Sequence, residues 1–175
     1  MSISKLVPNW YVLHTKSRFE NVVNEGLQKK SLEVFLPKIK VPSKRRDRKL
    51  MITVPLFPGY LFVKTVLHPQ AHLEIVKTVG AVRLVGSKSG PVPVLSDTIE
   101  SLKIMVSSGH PIATGSRFHQ GDRVIVVAGP FAGVNGLFAR YRGKGRVVVY
   151  IEALGQYAQA EVDEEDIEII PKIIS

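Results

Sequence analysis

Pro55-Leu-Phe-Pro-Gly-Tyr-Leu-Phe-Val63 is the stretch on which the reading of the fold turns. Phe57-Pro-Gly-Tyr60 is a turn, since proline presets one central φ and glycine frees the next. It leads into a strand over Tyr60–Thr65. Upstream, Trp10–His14 is a second short apolar strand. It runs into Ser17-Arg-Phe-Glu20, a capping box in which Ser17 would cap a helix and Glu20 reach back. Phe19, Val22, Val23 and Leu27 then recur at helical spacing. Val34–Leu36, Ile39–Val41 and Met51–Val54 read as strands, confined to edges or ends by Pro37, Pro42 and Pro55. Ser43–Lys49 falls between two of them and is expected at the exposed tip of a hairpin. Downstream, Gln70–Thr78 is a helix candidate and Ala81–Val85 a strand, ended by Gly86-Ser-Lys-Ser-Gly90. Asp97 with Glu100 forms another capping box, and Ile99, Leu102 and Val106 give the helix after it one apolar face. Together these elements predict an α+β domain in which helices cover a mainly antiparallel sheet.

Past Val106 the pattern changes. Ser107–Ser116, SSGHPIATGS, has no hydrophobic period and is rich in Ser, Gly, Pro and Thr, so it reads as a linker. Beyond it Arg123–Ala128, Leu137–Tyr141, Arg146–Ile151, Tyr157–Val162 and Ile167–Ile170 are short, β-branched and separated by glycine-containing turns. Five such strands describe a small β-barrel. The expected domains are therefore residues 1–106, a linker over 107–117, and a barrel over 118–175.

The 175 residues carry 24 Lys+Arg against 15 Asp+Glu, a formal charge of +9, with 45% hydrophobic residues and no cysteine. That apolar fraction fills a core, and the absent cysteines exclude disulfides, a thiol nucleophile and a Cys-ligated zinc site. Apolar runs such as Val124–Ala128 and Val147–Ile151 fall far short of the roughly 20 residues that span a bilayer. The first residues, MSISKLVPNWYV, lack an apolar core of signal-peptide length. A soluble cytoplasmic protein with no membrane contact is expected. The charge is unevenly placed: residues 1–110 hold 17 Lys+Arg and 7 Asp+Glu, while residues 111–175 hold 7 and 8. Lys38–Lys49 alone has seven positive residues and one negative. Such a stripe suits a polyanion, because each Lys or Arg at a phosphate releases condensed counterions, and it suits a solvated loop equally well.

Catalytic signatures are missing. There is no G-x-S-x-G elbow, P-loop or H-E-x-x-H, and Gly129-Pro-Phe-Ala-Gly133-Val-Asn-Gly136 lacks the spacing of a dinucleotide fingerprint. His68 and His72 lie four apart, but Pro69 stands where their helix would begin, so surface or helix-end histidines are expected rather than a metal site. The acidic run Glu161–Glu168 alternates with Val162 and Ile167 as a solvated strand end and turn would. No cofactor, metal or catalytic residue is expected.

Large aromatics instead gather around neighbouring strands: Trp10, Tyr11, Phe57, Tyr60 and Phe62. For any one of them a place in the core is the commoner role. Alternation sends Tyr60 and Phe62 to one sheet face and Leu61 and Val63 to the other, so one aromatic face is expected to stay partly uncovered and to mark a protein partner.

Asn9-Trp-Tyr-Val-Leu13, Pro55–Val63 and the run Gly121-Asp-Arg-Val-Ile-Val-Val-Ala-Gly-Pro-Phe-Ala-Gly-Val-Asn-Gly136 resemble, in order and spacing, the NusG-type transcription factors of bacteria. The first two are similar to the NusG N-terminal domain and the third to the KOW motif of its C-terminal domain. The resemblance implies a non-enzymatic, monomeric elongation factor that is carried on RNA polymerase in the nucleoid and suppresses pausing or termination. It implies that Trp10, Phe57, Tyr60 and Phe62 receive the clamp helices of the largest polymerase subunit, with Val85 and Ile99 as an apolar rim. Lys16, Arg18, Lys44, Arg45, Arg46, Arg48 and Lys49 would face the non-template DNA strand. Phe131, Leu154 and Gln156 would meet a small-subunit ribosomal protein of the NusE type, or Rho. A basic residue commonly stands at the position of Gln156 in ribosome-coupled members. The compact hairpin Ser43–Lys49 and the phrase Pro55–Val63 resemble the specialised RfaH and LoaP side of the family, which acts on selected long operons; a general NusG factor and a ribosome-associated KOW protein are the alternatives. The glycines of the C-terminal half weaken any helical alternative by about 1 kcal/mol each, so a barrel that does not switch fold is expected.

Overall fold

The computed structural model describes residues 7–44, 50–116 and 121–170. They form two compact units, Met1–Val94 and Leu95–Ser175.

In the first unit the elements run β1 (Asn9–Thr15), α1 (Glu20–Lys29), β2 (Glu33–Phe35), β3 (Lys38–Pro42), β4 (Met51–Pro55), β5 (Tyr60–Thr65), α2 (Pro69–Val76), β6 (Ala81–Leu84), β7 (Gly86–Ser87), β8 (Gly90–Pro91) and β9 (Pro93–Val94). The main sheet has the order β2-β5-β1-β6, every pair antiparallel, with β9 on the same edge of β1 as β6. Val12 and Phe62 face each other in its middle. β3 and β4 pair only with one another, as the hairpin predicted around Ser43–Lys49, and Ser43 N–H donates to Leu50 O at its closed end.

One face of the sheet is a conventional core. Tyr11 and Leu13 of β1, Leu61 and Val63 of β5 and Leu84 of β6 pack with Val23 and Leu27 of α1 and Ile75 of α2. Each such side chain contributes on the order of 1.5–3 kcal/mol by leaving water. α1 ends in a left-handed residue, Ser31 at φ 62°, whose N–H donates to Gln28 O while Leu32 N–H reaches back to Leu27 O. This C-terminal lock turns Leu32 against the core. Neither capping box forms. α1 starts at Glu20, too late for Ser17 to cap it, and the Glu20 carboxylate is buried as the acceptor of Gly59 N–H at 3.0 Å. The helix containing Asp97 and Glu100 likewise has no side-chain cap. His68 does cap: its Nδ1 accepts from Ala71 N–H at 3.2 Å ahead of Pro69.

The second unit holds α3 (Ser96–Ser107), β10 (Ala113–Ser116), β11 (Asp122–Val126), β12 (Asn135–Tyr141), β13 (Lys144–Ile151), β14 (Gln156–Glu161) and, after a 3-10 turn at Glu164–Asp166, β15 (Ile167–Ile169). All five predicted strands are present in one antiparallel sheet ordered β10-β14-β13-β12-β11-β15. Val147, Val148 and Val149 are all buried, so β13 is covered on both faces. α3 packs on β12 and β13, burying Ile99, Leu102 and Met105. Ser101, 1% exposed, fixes the register: its Oγ accepts from Asn135 N–H at 2.9 Å and donates to Asn135 O at 3.2 Å.

The structure thus differs from the expected division in two ways. α3, placed in the first domain by composition, is grouped with the second unit, because its apolar face and Ser101 dock on β12 and β13. Residues 113–116, placed in the linker, form β10 on the edge of β14. Composition registers the Ser/Gly/Pro-rich stretch and not the surface against which it lies.

Candidate functional site

Positions 10, 12 and 14 of β1 and 60, 62 and 64 of β5 share the sheet face opposite the core just described. They form three cross-strand rows: Trp10 with Lys64, Val12 with Phe62, and His14 with Tyr60. In the first row Lys64 Nζ stands 5.9 Å from the Trp10 ring centroid and 3.8 Å from a Glu33 carboxylate oxygen. In the middle row Phe62 stacks on Phe35, with centroids 6.0 Å apart, and meets the edge of Phe57 at 6.4 Å. In the third row the His14 and Tyr60 rings stack at 5.0 Å and 25°. Arg83, across from His14 on β6, extends that row to a third strand.

Burial separates the rows and corrects the expectation of an uncovered aromatic face. Trp10, Phe57 and Phe62 are 2%, 1% and 0% exposed, and Val85 and Ile99 are buried as well. Of the six residues expected to meet the polymerase, Tyr60 alone is half-exposed. Ile99 belongs to α3 in the other unit. The reason is physical: alternation states which side of a sheet a residue faces and says nothing of whether that side is covered. The continuous apolar runs Trp10–Leu13 and Leu61–Val63 carry the missing information, since strands covered on both faces lose the polar half of their pattern. His14 and Arg83 were not singled out from the sequence. Their signal is a polar residue within an otherwise apolar strand, His14 in register with Tyr60 and Arg83 with His14, and register is not readable before pairing is known.

Among the candidate phosphate-binding residues, Lys16 and Arg18 lie exposed in the turn from β1 to α1. Lys16 N–H donates to Gly80 O at 2.8 Å, Phe19 N–H donates to Lys16 O at 3.0 Å, and Arg18 is left-handed at φ 67°. Gly80 is left-handed too, and a Cβ there would press on the Phe19 ring at 2.8 Å. This tight turn holds both cations outward, and neither makes an ion pair among the described residues. Lys44 is exposed at the hairpin. Arg45, Arg46, Arg48 and Lys49 lie outside the described residues.

In the second unit, Phe131 is 4% exposed and takes the His110 ring edge-on at 5.9 Å. Leu154 and Gln156 are half-buried at the turn into β14. The acidic run is the solvated turn expected of it: Glu161 lies 3.8 Å from Lys144 and 4.0 Å from Arg146, and Glu164 pairs with Arg140. Among the described residues no three His, Asp or Glu side chains cluster as metal ligands, and no helix is long and apolar enough to cross a membrane.

Comparison with known proteins points in one direction. Residues 8–103 match the family model described as transcription termination factor nusG. The transcription termination/antitermination protein NusG of Thermus thermophilus is 31% identical over 173 residues, covering 88% of this chain and 94% of that protein. Its counterpart from Bacillus subtilis is 27% identical over 168 residues, covering 89% and 94%. A structure describing domain interaction in Thermotoga maritima NusG superposes with a TM-score of 0.54 at 23% identity, covering 95% of this chain and 99% of that one. At that identity the likeness concerns the fold.

Proposed function

The chain belongs to the NusG family of non-enzymatic transcription factors, and from that membership we propose that it rides on elongating RNA polymerase and suppresses pausing or termination. The clamp helices of the largest subunit are its anchor. The observation that carries this reading is the third row of the sheet. Tyr60, partly exposed and stacked on His14, which pairs on its other side with Arg83, is an aromatic held by a three-strand frame. Tyrosine is among the residues most enriched at interface hot spots, and Tyr60 is the one of the five aromatics Trp10, Tyr11, Phe57, Tyr60 and Phe62 that is not buried. Trp10, Phe57, Phe62 and Val85, all buried, support this reading as the packed structure beside the row.

Tyr60→Ala is expected to weaken binding of the full chain to core RNA polymerase by about 2 kcal/mol, roughly 30-fold, without lowering the stability of the free protein appreciably. Unchanged affinity in a binding titration would remove Tyr60 from the interface.

The basic turn and hairpin tip complete the proposal. Lys16 and Arg18, with Lys44 and the other cations of 44–49, contact phosphates of the non-template strand. Phosphate contacts position a protein without reading sequence. Replacing Lys16 and Arg18, or Arg45 and Arg46, with alanine should lower DNA-dependent recruitment. It should also lower the slope of log affinity against log salt by about 1 for each phosphate no longer neutralised. A slope that does not move assigns these residues to solvent. The short hairpin supports a role on selected long operons, for which a genome-wide occupancy profile is the test: signal on a few operons sustains it, and uniform signal on transcribed genes makes this a general factor. In the second unit Phe131, Leu154 and Gln156 recruit a further protein, a ribosomal protein of the NusE type or Rho.

A further inference from the structure

Residues 16–22 run along the surface of the first unit. Lys16, Ser17, Arg18, Phe19, Asn21 and Val22 are exposed, and Glu20, at 7%, is the one side chain among them that is buried. Burying a carboxylate strips it of water that an apolar side chain does not need, so packing alone does not call for glutamate at this position. Glu20 makes no ion pair among the described residues. What it holds is a backbone amide: Gly59 N–H donates to its Oε1 at 3.0 Å.

Gly59, left-handed at φ 85°, is bound on both of its polar groups. Its N–H goes to Glu20 and its carbonyl oxygen accepts from Thr15 N–H at 2.8 Å. Thr15 and Glu20 are the two ends of the turn that carries Lys16 and Arg18, so a single residue fastens both ends of that turn. The next residue is Tyr60. Its N–H donates to Phe57 O at 3.0 Å, and it pairs with His14 across the sheet, so Tyr60 keeps its place without Glu20. The start of α1 has no side-chain cap. Glu20 is the side chain that fastens this helix start by a hydrogen bond to the turn leading into β5.

We infer that Glu20 is a positioning residue for DNA binding: by holding Gly59 N–H it sets Lys16 and Arg18 at a fixed place relative to Tyr60, so that the phosphate contacts and the polymerase anchor engage together. The inference rests on the proposed roles of those three residues and adds the group that couples them. Once Tyr60 is seated, a turn held in place meets the DNA as an intramolecular partner, and a loose one loses part of that advantage. Glu20 thereby favours the binding of a polyanion although its own charge repels phosphate. Positioning and direct Coulomb interaction thus predict opposite signs for its removal, which makes them separable.

Three full-chain variants divide charge from reach. Glu20→Gln and Glu20→Met both remove the charge at similar side-chain length, and only glutamine keeps an oxygen to accept from Gly59 N–H. Glu20→Asp keeps the charge and draws it back by one methylene. Each is titrated, over a range of salt, onto an elongation complex of core RNA polymerase, RNA, template and non-template DNA, and onto the same complex without the non-template strand. On the complete complex Glu20→Met and Glu20→Asp are expected to bind about tenfold more weakly at low salt, with the slope of log affinity against log salt lowered by about 1–2, as for two phosphate contacts. Glu20→Gln is expected to keep the wild-type slope. Without the non-template strand all three bind as the wild type does. A side chain needed only for stability would shift the unfolding transition followed by Trp10, the single tryptophan, and leave the salt slope of the folded protein where it was. The inference is overturned if Glu20→Met and Glu20→Asp keep the wild-type slope, or if Glu20→Gln loses it as they do. The Lys16→Ala, Arg18→Ala double variant separates the two levels in the same titration. If it keeps the wild-type slope, the phosphate reading falls and this inference with it; if it loses slope while Glu20→Met and Glu20→Asp do not, the inference alone falls.

Discussion

Phe62→Ala is expected to destabilise the first unit by about 3–5 kcal/mol, a large part of the roughly 5–15 kcal/mol that holds a domain folded. Phe62 is fully buried on the central strand β5, stacked on Phe35, edge-on to Phe57 and opposite Val12. Truncation removes its transfer free energy and leaves a ring-sized cavity between strands paired on both sides, which cannot close inward. Trp10 is the single tryptophan of the chain and lies on the same sheet face, buried at 2%. Its fluorescence during denaturation therefore follows this unit. Tyr60→Ala, two residues away and half-exposed, should shift the same transition by no more than about 1 kcal/mol. The contrast separates two roles that look identical in Tyr60-Leu-Phe62: loss of polymerase binding by Phe62→Ala follows unfolding, while loss by Tyr60→Ala does not. A Phe62→Ala protein that melts like the wild type yet fails to bind would return Phe62 to the surface.

That contrast also marks how far the sequence could be read. β1 to β6 of the first unit, β11 to β15 of the second, the hairpin around Ser43–Lys49, and the helices at 20–29 and 69–76 follow from periodicity, proline placement and turn residues, which act within a few residues of themselves, whereas the two-residue strands β7, β8 and β9 do not. What failed depends on distant groups. Glu20 has the spacing of a capping box, but an amide 39 residues on, Gly59 N–H, takes its buried carboxylate. Ala113-Thr-Gly-Ser116 has the composition of a linker and becomes a strand because β14 has an edge to fill. Ile99, Leu102 and Met105 announce an amphipathic helix without saying what it packs on. The candidate site shows the same limit. Lys16 and Arg18 were named through the family resemblance and placed at the start of a helix that begins only at Glu20, and the partition of the aromatics into buried residues and the partly exposed Tyr60 required the third dimension.

Gly136→Ala is expected to cost the second unit about 3 kcal/mol, at the upper end for overpacking, from the addition of one methyl group. A Cβ at this position on β12 would strike the Val148 carbonyl oxygen, with Val148 C and Val147 Cγ2 each 3.1 Å away. Two of the three obstacles are backbone atoms of β13, a strand held on both sides by β12 and β14, so no rotamer change relieves them. Gly155 provides the comparison: it is left-handed at φ 63° with nothing within 4 Å of a Cβ. Alanine there meets only backbone strain of about 1–2 kcal/mol. Amide spectra should show the second unit unfolding at lower denaturant in Gly136→Ala, with the signals of residues 7–94 unmoved. The same variant interrogates the alternative in which this segment folds as helix. Alanine favours a helix over glycine by about 1 kcal/mol, so the substitution penalises the sheet and rewards the helix together. Random-coil carbon shifts over residues 121–151 in the unfolded fraction are the expected result, because Pro130 and the remaining glycines still oppose a helix. Helical shifts there would establish a second fold for the segment and overturn the proposal that it is permanently a sheet.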